Sequence, residues 1–224
     1  DVADAGRALA LLGWHASTRF CGACGARTVS REGGAKRVCL SCGSRYYPRT
    51  DPVAIALVFR RDRDLVLLGR SAKFRPGMYS CLSGFVDPVE SVEAAVKREV
   101  FEEAGVAVDH VTVFASQPWP VGRAGGCELM LGCFAEVTGA GDVTIDTNEL
   151  EDARWFTRAE LTAAMRGATQ YANHGLQPPD PTTVWLPGHY AIAHHLVKAW
   201  LDAGPPPPPT TRTPAATTTD AVSS

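Results

Sequence analysis

The sequence predicts an α/β (α+β) protein, in which helices pack on a sheet and a small cysteine-rich module precedes them. Three observations carry this. Residues 53–59, VAIALVF, form a β-branched apolar run bounded by Pro52 and by Arg60-Arg61, the pattern of a buried strand. Residues 91–104 repeat apolar positions at helical spacing and stop at Gly105, which suits a left-handed C-terminal residue. Ahead of both, the pairs Cys21/Cys24 and Cys39/Cys42 lie in a segment of Gly, Arg and Ser too polar to own a core.

Each element follows in order. Residues 1–17 carry Ala, Leu and Trp at helical spacing and read as an opening helix. Residues 18–48 form the cysteine module. The connector YYPRTDP, residues 46–52, is stiffened by two prolines and leads into the first strand. A turn at 62–64 separates it from a strand at 65–69, and a third strand is expected at 78–85. After the helix at 91–104 come strands at 108–116 and 129–137. Thr157 then opens a short helix at 158–165. Residues 177–188 make a loop before a last helix at 189–201. The segment 203–224 is Pro, Thr, Ala and Ser, the composition of a disordered tail. The main domain is thus expected over 49–202.

Composition narrows the function. A net charge of -2 offers no global attraction for nucleic acid or an anionic membrane, so a small dissolved substrate is the expected partner. No window approaches the roughly 20 apolar residues that span a bilayer, and the N-terminus lacks the pattern of a secretory signal. A cytoplasmic location is expected. The first residue is Asp1 rather than Met, which points to a fragment or a processed chain.

The helix at 91–104 holds the chemistry. At about 100 degrees per residue, Glu99, Glu102 and Glu103 share one face near its C-terminus, where the helix dipole is also negative. Arg98 alone cannot neutralise three acids, so the face calls for a hard divalent cation, magnesium or manganese. Ala94, Val100, Phe101 and Ala104 are the stripe expected to face the sheet, interrupted by Lys97. Solvation is the ordinary fate of an acidic face. The spacing argues otherwise. From Gly84, five residues precede Glu90, seven more precede Arg98-Glu99, and Val100, Glu102-Glu103, Gly105 and Val106 follow in a pattern that chance would produce in on the order of one chain per million.

Residues 84–106 match the Nudix box at every specified position, and the chain resembles the Nudix hydrolase superfamily. The resemblance implies an α/β/α sandwich with a mixed sheet and hydrolysis of a nucleoside diphosphate linked to another group. By position it implies Glu99, Glu102 and Glu103 as metal ligands, with Glu90 and Arg98 orienting them.

Cys21, Cys24, Cys39 and Cys42, two knuckles separated by a fourteen-residue loop, have the spacing of a zinc ribbon. Four thiolates close the shell, so the expected zinc is structural. Cys81, Cys127 and Cys133 lack paired spacing and read as small apolar residues. Arg27, Arg31, Lys36 and Arg37 read as a solvated basic loop, with contact to RNA as the alternative. The histidines show no ligand spacing.

The ribbon, the connector, the box and then SQPWP at 116–120 together resemble the NADH pyrophosphatase family, over nearly all of the chain except its tail. This resemblance implies cleavage of NADH or NAD+ to nicotinamide mononucleotide and AMP by a homodimer. It implies Phe85 and Tyr47 stacking on a substrate ring, with Tyr47 reaching over from the partner subunit, and Glu149 as a late metal ligand. Gln117 and Trp119 would line the pocket, and the backbone at Ala193 would close it. One departure is a longer, glycine-rich stretch from Val121 to Glu128, which is expected to weaken or shift selectivity for NADH. NAD-capped RNA or another nucleoside diphosphate derivative is therefore the alternative substrate. A non-catalytic nucleotide-binding regulator is the alternative class.

Overall fold

A computed structural model describes residues 1–122 and 126–207. The middle of the glycine-rich stretch, 123–125, and most of the tail, 208–224, lie outside the described residues.

Helix α1, Val2–Ser17, starts in a capping box in which the Asp1 carboxylate accepts from the Asp4 amide at 2.9 Å. It buries only Trp14. The ribbon beside it is a three-stranded antiparallel sheet of β1 (Thr28–Arg31), β2 (Lys36–Cys39) and β3 (Arg45–Tyr46). Polar contacts rather than apolar bulk fasten helix to ribbon. Arg37 donates to His15 Nδ1 at 3.0 Å and to the Thr28 carbonyl at 2.9 Å, and His15 Nε2 then donates to the Gly34 carbonyl at 3.0 Å. Arg37 is therefore an anchor, not a solvated loop cation as its composition suggested.

The main sheet runs β7 (Val108–Trp119), β8 (Glu128–Val137), β4 (Asp51–Arg60), β5 (Leu65–Arg70), β9 (Asp152–Thr157), with β6 (Leu82–Phe85) also paired to β4. Strand β4 is its centre, antiparallel to β5 and β6 and parallel to β8. Both faces of β4 are covered, which explains its unbroken apolar run. Alternation sorts its side chains between two cores. Ile55, Leu57 and Phe59 share a core with Phe156 of β9, with Leu161 of α3 (Arg158–Gln170) and with Leu196 and Trp200 of α4 (Ile192–Ala203). Ala54, Ala56 and Val58 face α2 (Val92–Ala104) through Val96, Val100 and Ala104. The result is the α/β/α sandwich with a mixed sheet. Among the described residues no helix is long and apolar enough to cross a membrane.

Several boundaries differ from the sequence reading. Asp51 and Pro52 belong to β4, and the connector's Tyr46 ends β3. Strand β7 continues through Trp119, because its register with β8 persists to Glu128. The third expected strand contracts to β6, since Met78 and Ser80 make only isolated bridges to Trp185 and Gly69. Helix α3 runs on to Gln170, and α4 begins at Ile192. On α2 the buried stripe is Ala95, Val96, Val100 and Ala104, whereas Ala94 and Phe101 are exposed. This rotation carries Glu103 to the buried edge, and Lys97 reaches out to Asp109 at 2.6 Å.

Candidate active site

Helix α2 begins where the Ser91 hydroxyl accepts from the Ala94 amide at 3.2 Å and ends at Gly105 with φ of 68°. Its last carbonyls accept from a neighbouring loop: Thr144 N donates to the Ala104 carbonyl at 2.8 Å and Asp146 N to the Glu103 carbonyl at 3.0 Å. Asp146 then turns the chain by accepting from the Asn148 amide at 2.9 Å, and Glu149 arrives beside the helix. Carboxylate oxygens of Glu99, Glu103 and Glu149 all lie within 4.8 Å of one another. Three acids this close repel, and oxygen donors so gathered suit a hard divalent ion. Glu102 lies outside this cluster, is 55% exposed, and pairs with Arg98 at 3.0 Å.

Gly84 is what lets β6 approach. A β-carbon there would sit 1.8 Å from the Glu99 Cδ, so only glycine leaves space for the carboxyl group. Arg98 holds the surroundings. Its guanidinium donates to Glu90 at 2.9 and 2.8 Å, to Glu99 at 2.7 Å and to the Phe85 carbonyl at 2.9 Å. A planar fork with five donors can do this, whereas a lysine cannot. Arg98 keeps the Glu90 carboxyl below the usual range. Burial pushes Glu99 above its usual range, against the pull of Arg98 and with the charges of Glu102 and Glu149 pushing the same way.

A cavity of about 340 Å³ opens on the other face of the sheet. Gln117, Trp119 and Ala193 line it together with Met78, Met130 and Tyr190. Ser83 also lines it and precedes Gly84 on β6, so strand β6 carries cavity wall and carboxylate seat on successive residues. Phe85 does not line this cavity; it pairs with Val53 at the end of β6. Tyr47 is 58% exposed on the connector and does not line it either.

The four cysteines of the ribbon converge. Sγ atoms of Cys21 and Cys42 are 3.5 Å apart, as are those of Cys24 and Cys39. That is far too long for a disulfide and near the separation of about 3.8 Å that four sulfurs at zinc bond length would have. The Tyr46 hydroxyl lies 3.0 Å from the Cys21 Sγ and, with backbone amides helping, holds that thiol down to about 5 against burial. Cys81 and Cys133 are buried, and burial pushes each thiol up to about 12.

Sequence reasoning missed Tyr46, whose neighbour Tyr47 drew attention instead. Tyr46 on β3 pairs with Arg37 on β2, and that register, set by tertiary pairing, aims its hydroxyl at the ribbon sulfurs. Met78, Met130, Ser83 and Tyr190 were also missed. They come from three separate stretches and carry no spacing signal.

Comparison with known proteins identifies both parts of the chain. Residues 49–174 match the NUDIX domain, and residues 16–47 match the NADH pyrophosphatase zinc ribbon domain. The chain is 40% identical to Nudix hydrolase 19, chloroplastic, of Arabidopsis thaliana, over 92% of this chain and 53% of that protein. It is 42% identical to NAD-capped RNA hydrolase NUDT12 of Homo sapiens, over 89% of this chain and 41% of that protein. It is also 42% identical to NAD(P)H pyrophosphatase NUDT13, mitochondrial, of Mus musculus, over 87% of this chain and 53% of that protein. The chain spans about half the length of the curated relatives it matches. The crystal structure of a NUDIX hydrolase from Nitrosomonas europaea is similar with a TM-score of 0.54 at 16% identity, covering 82% of this chain and 90% of that one, a likeness of fold alone. With its main domain matched over more than half the chain and its cysteine module matched ahead of it, the chain belongs to the NUDIX domain family and carries an NADH pyrophosphatase zinc ribbon domain.

Proposed function

We propose that this protein hydrolyses the phosphoanhydride bond of NADH or NAD+, giving nicotinamide mononucleotide and AMP. The observation that carries the reading is the cluster of Glu99, Glu103 and Glu149, which backs onto a base-sized cavity through consecutive residues of β6. Magnesium or manganese held there would supply Lewis-acid activation and offset the negative charge of the diphosphate. The chain's own residues do the rest. Glu99, Glu103 and Glu149 would hold the cation, and Glu102, outside their cluster, would be a further ligand once it parted from Arg98. Arg98 and Glu90 keep Glu99 in place. Trp119 and the backbone at Ala193 would face one base, with Gln117 in the wall beside them, and Phe85 and Tyr47, which do not line the cavity within one chain, would stack on a substrate ring, Tyr47 from a second copy in a homodimer. Water adds to one phosphorus, its proton passes to a carboxylate, and two monophosphates part.

The four ribbon cysteines hold zinc, which replaces a core the segment lacks. Free thiols at ligand distance suit a reducing compartment such as the cytoplasm. A second reading, hydrolysis of NAD-capped RNA, draws support from relatives that bear that name.

The test is hydrolysis of NADH with magnesium or manganese, with products resolved, for the wild type and Glu103→Gln. Release of the reduced mononucleotide and AMP, falling roughly a hundredfold or more in the variant, is expected. Turnover of NAD-capped RNA with none of NADH would favour the second reading, and equal rates in both proteins would sink the proposed site.

A further inference from the structure

Helix α4 starts without a cap of its own. Its N-cap residue is Ala191, which has no side chain to accept from the first amides. The missing acceptor comes from the edge strand. Ile192 N donates to Gln117 Oε1 at 2.7 Å, and Gln117 Nε2 donates to the Tyr190 carbonyl at 2.7 Å. A backbone amide can only donate and a carbonyl can only accept, so the orientation of the Gln117 amide follows from its partners. Both ends of one side chain thus clamp the backbone on either side of the N-cap.

Apolar packing reinforces the clamp. Ile192 is buried and lies over Gly132 of β8, where an added β-carbon would meet the Ile192 Cδ1 at 2.6 Å. Tyr190, Ala191, Ile192 and Ala193 all line the cavity, and Gln117 lines it beside them.

We propose that Gln117 is a positioning residue: it caps α4 from the neighbouring strand and so fixes the cavity wall formed by residues 190–193 before substrate arrives. This deepens the functional reading above and rests on it for the identity of the substrate. A wall already ordered spares the ligand the entropy of ordering it. The geometry also makes the side chain's two ends separable. Glutamate at this position keeps an acceptor for the Ile192 amide but sets a carboxylate oxygen against the Tyr190 carbonyl, unless the carboxyl is protonated and donates.

The experiment uses the full chain with Gln117→Leu and Gln117→Glu. In ligand-free Gln117→Leu, hydrogen exchange in peptides covering 190–194 should speed up about tenfold, and KM for NADH should rise about tenfold with kcat within twofold. In Gln117→Glu the KM ratio to wild type should shrink as pH falls from about 8 to about 5, because the facing Tyr190 carbonyl disfavours the carboxylate, raises its pKa and lets protonation restore the donor. Unchanged exchange with a raised KM would mean that Gln117 acts by touching substrate, and would overturn the proposal. Faster exchange with unchanged KM would overturn it as well. If Gln117→Leu failed to fold, the pH dependence of Gln117→Glu would decide. A wild type inert towards NADH would overturn the functional reading alone, and exchange in the ligand-free variants would then decide whether the clamp holds the wall.

Discussion

Val89 stands at φ of 70°, in the loop that joins β6 to α2, and its side chain is fully exposed. A β-branched residue in the left-handed region is strained, and no burial compensates here. Val89→Gly should stabilise the fold by about 1 kcal/mol, the relief of strain exceeding the added chain entropy. Urea denaturation checks this; a lower midpoint in the variant would contradict it. At this scale much of the site was legible. The spacing from Gly84 to Val106 marked Glu99, Glu103, Glu90 and Arg98; in the structure the Arg98 guanidinium holds Glu90 and Glu99, and Glu103 brings a carboxylate oxygen within 4.8 Å of one on Glu99. Glu102 separates from its neighbour Glu103 because consecutive helical residues point about 100 degrees apart, one towards the sheet edge and one to solvent.

At the scale of elements, the junction of β9 and α3 has an electrostatic signature. The Glu160 carboxylate accepts from the Thr157 amide at 2.8 Å and from Arg154 at 3.0 Å, and these contacts hold it down to about 2. Since the folded carboxyl lies below its ordinary value of 4.5, the stability it contributes is present above about pH 4.5 and lost as pH falls from there towards 2. Glu160 is exposed, so the effect is small. Glu160→Gln keeps an acceptor for the cap but not the charge. Its melting temperature should fall less steeply than that of the wild type over this window, and parallel curves would count against the assignment. The strands and helices were themselves readable from periodicity, but not their ends. Strand β7 outruns its apolar pattern because ladder bonds to β8 continue past it, and the α2 stripe is turned because a buried acid takes one of its inward positions.

On the scale of the whole molecule, two different forces order the chain. The sheet domain has two apolar cores, and the ribbon has none. A strong chelator should therefore remove hydrogen-exchange protection from residues 18–48 and release one zinc per chain, while β4 and β8 stay protected. Retained protection in the ribbon after zinc release would refute a structural role for the metal. The sequence alone determined the helix-and-sheet class, the box and the cysteine knuckles, because each depends on residue types at short, regular spacing that local geometry converts directly into a face or a turn; the sandwich followed from the resemblance that the box carries. Only tertiary structure decided that Tyr46 reaches Cys21 and that Gln117 caps α4, and it set Glu149, implied by the resemblance, beside Glu99 and Glu103. These pairs are far apart along the chain, and strand register and loop closure, to which each single residue contributes little, bring them together.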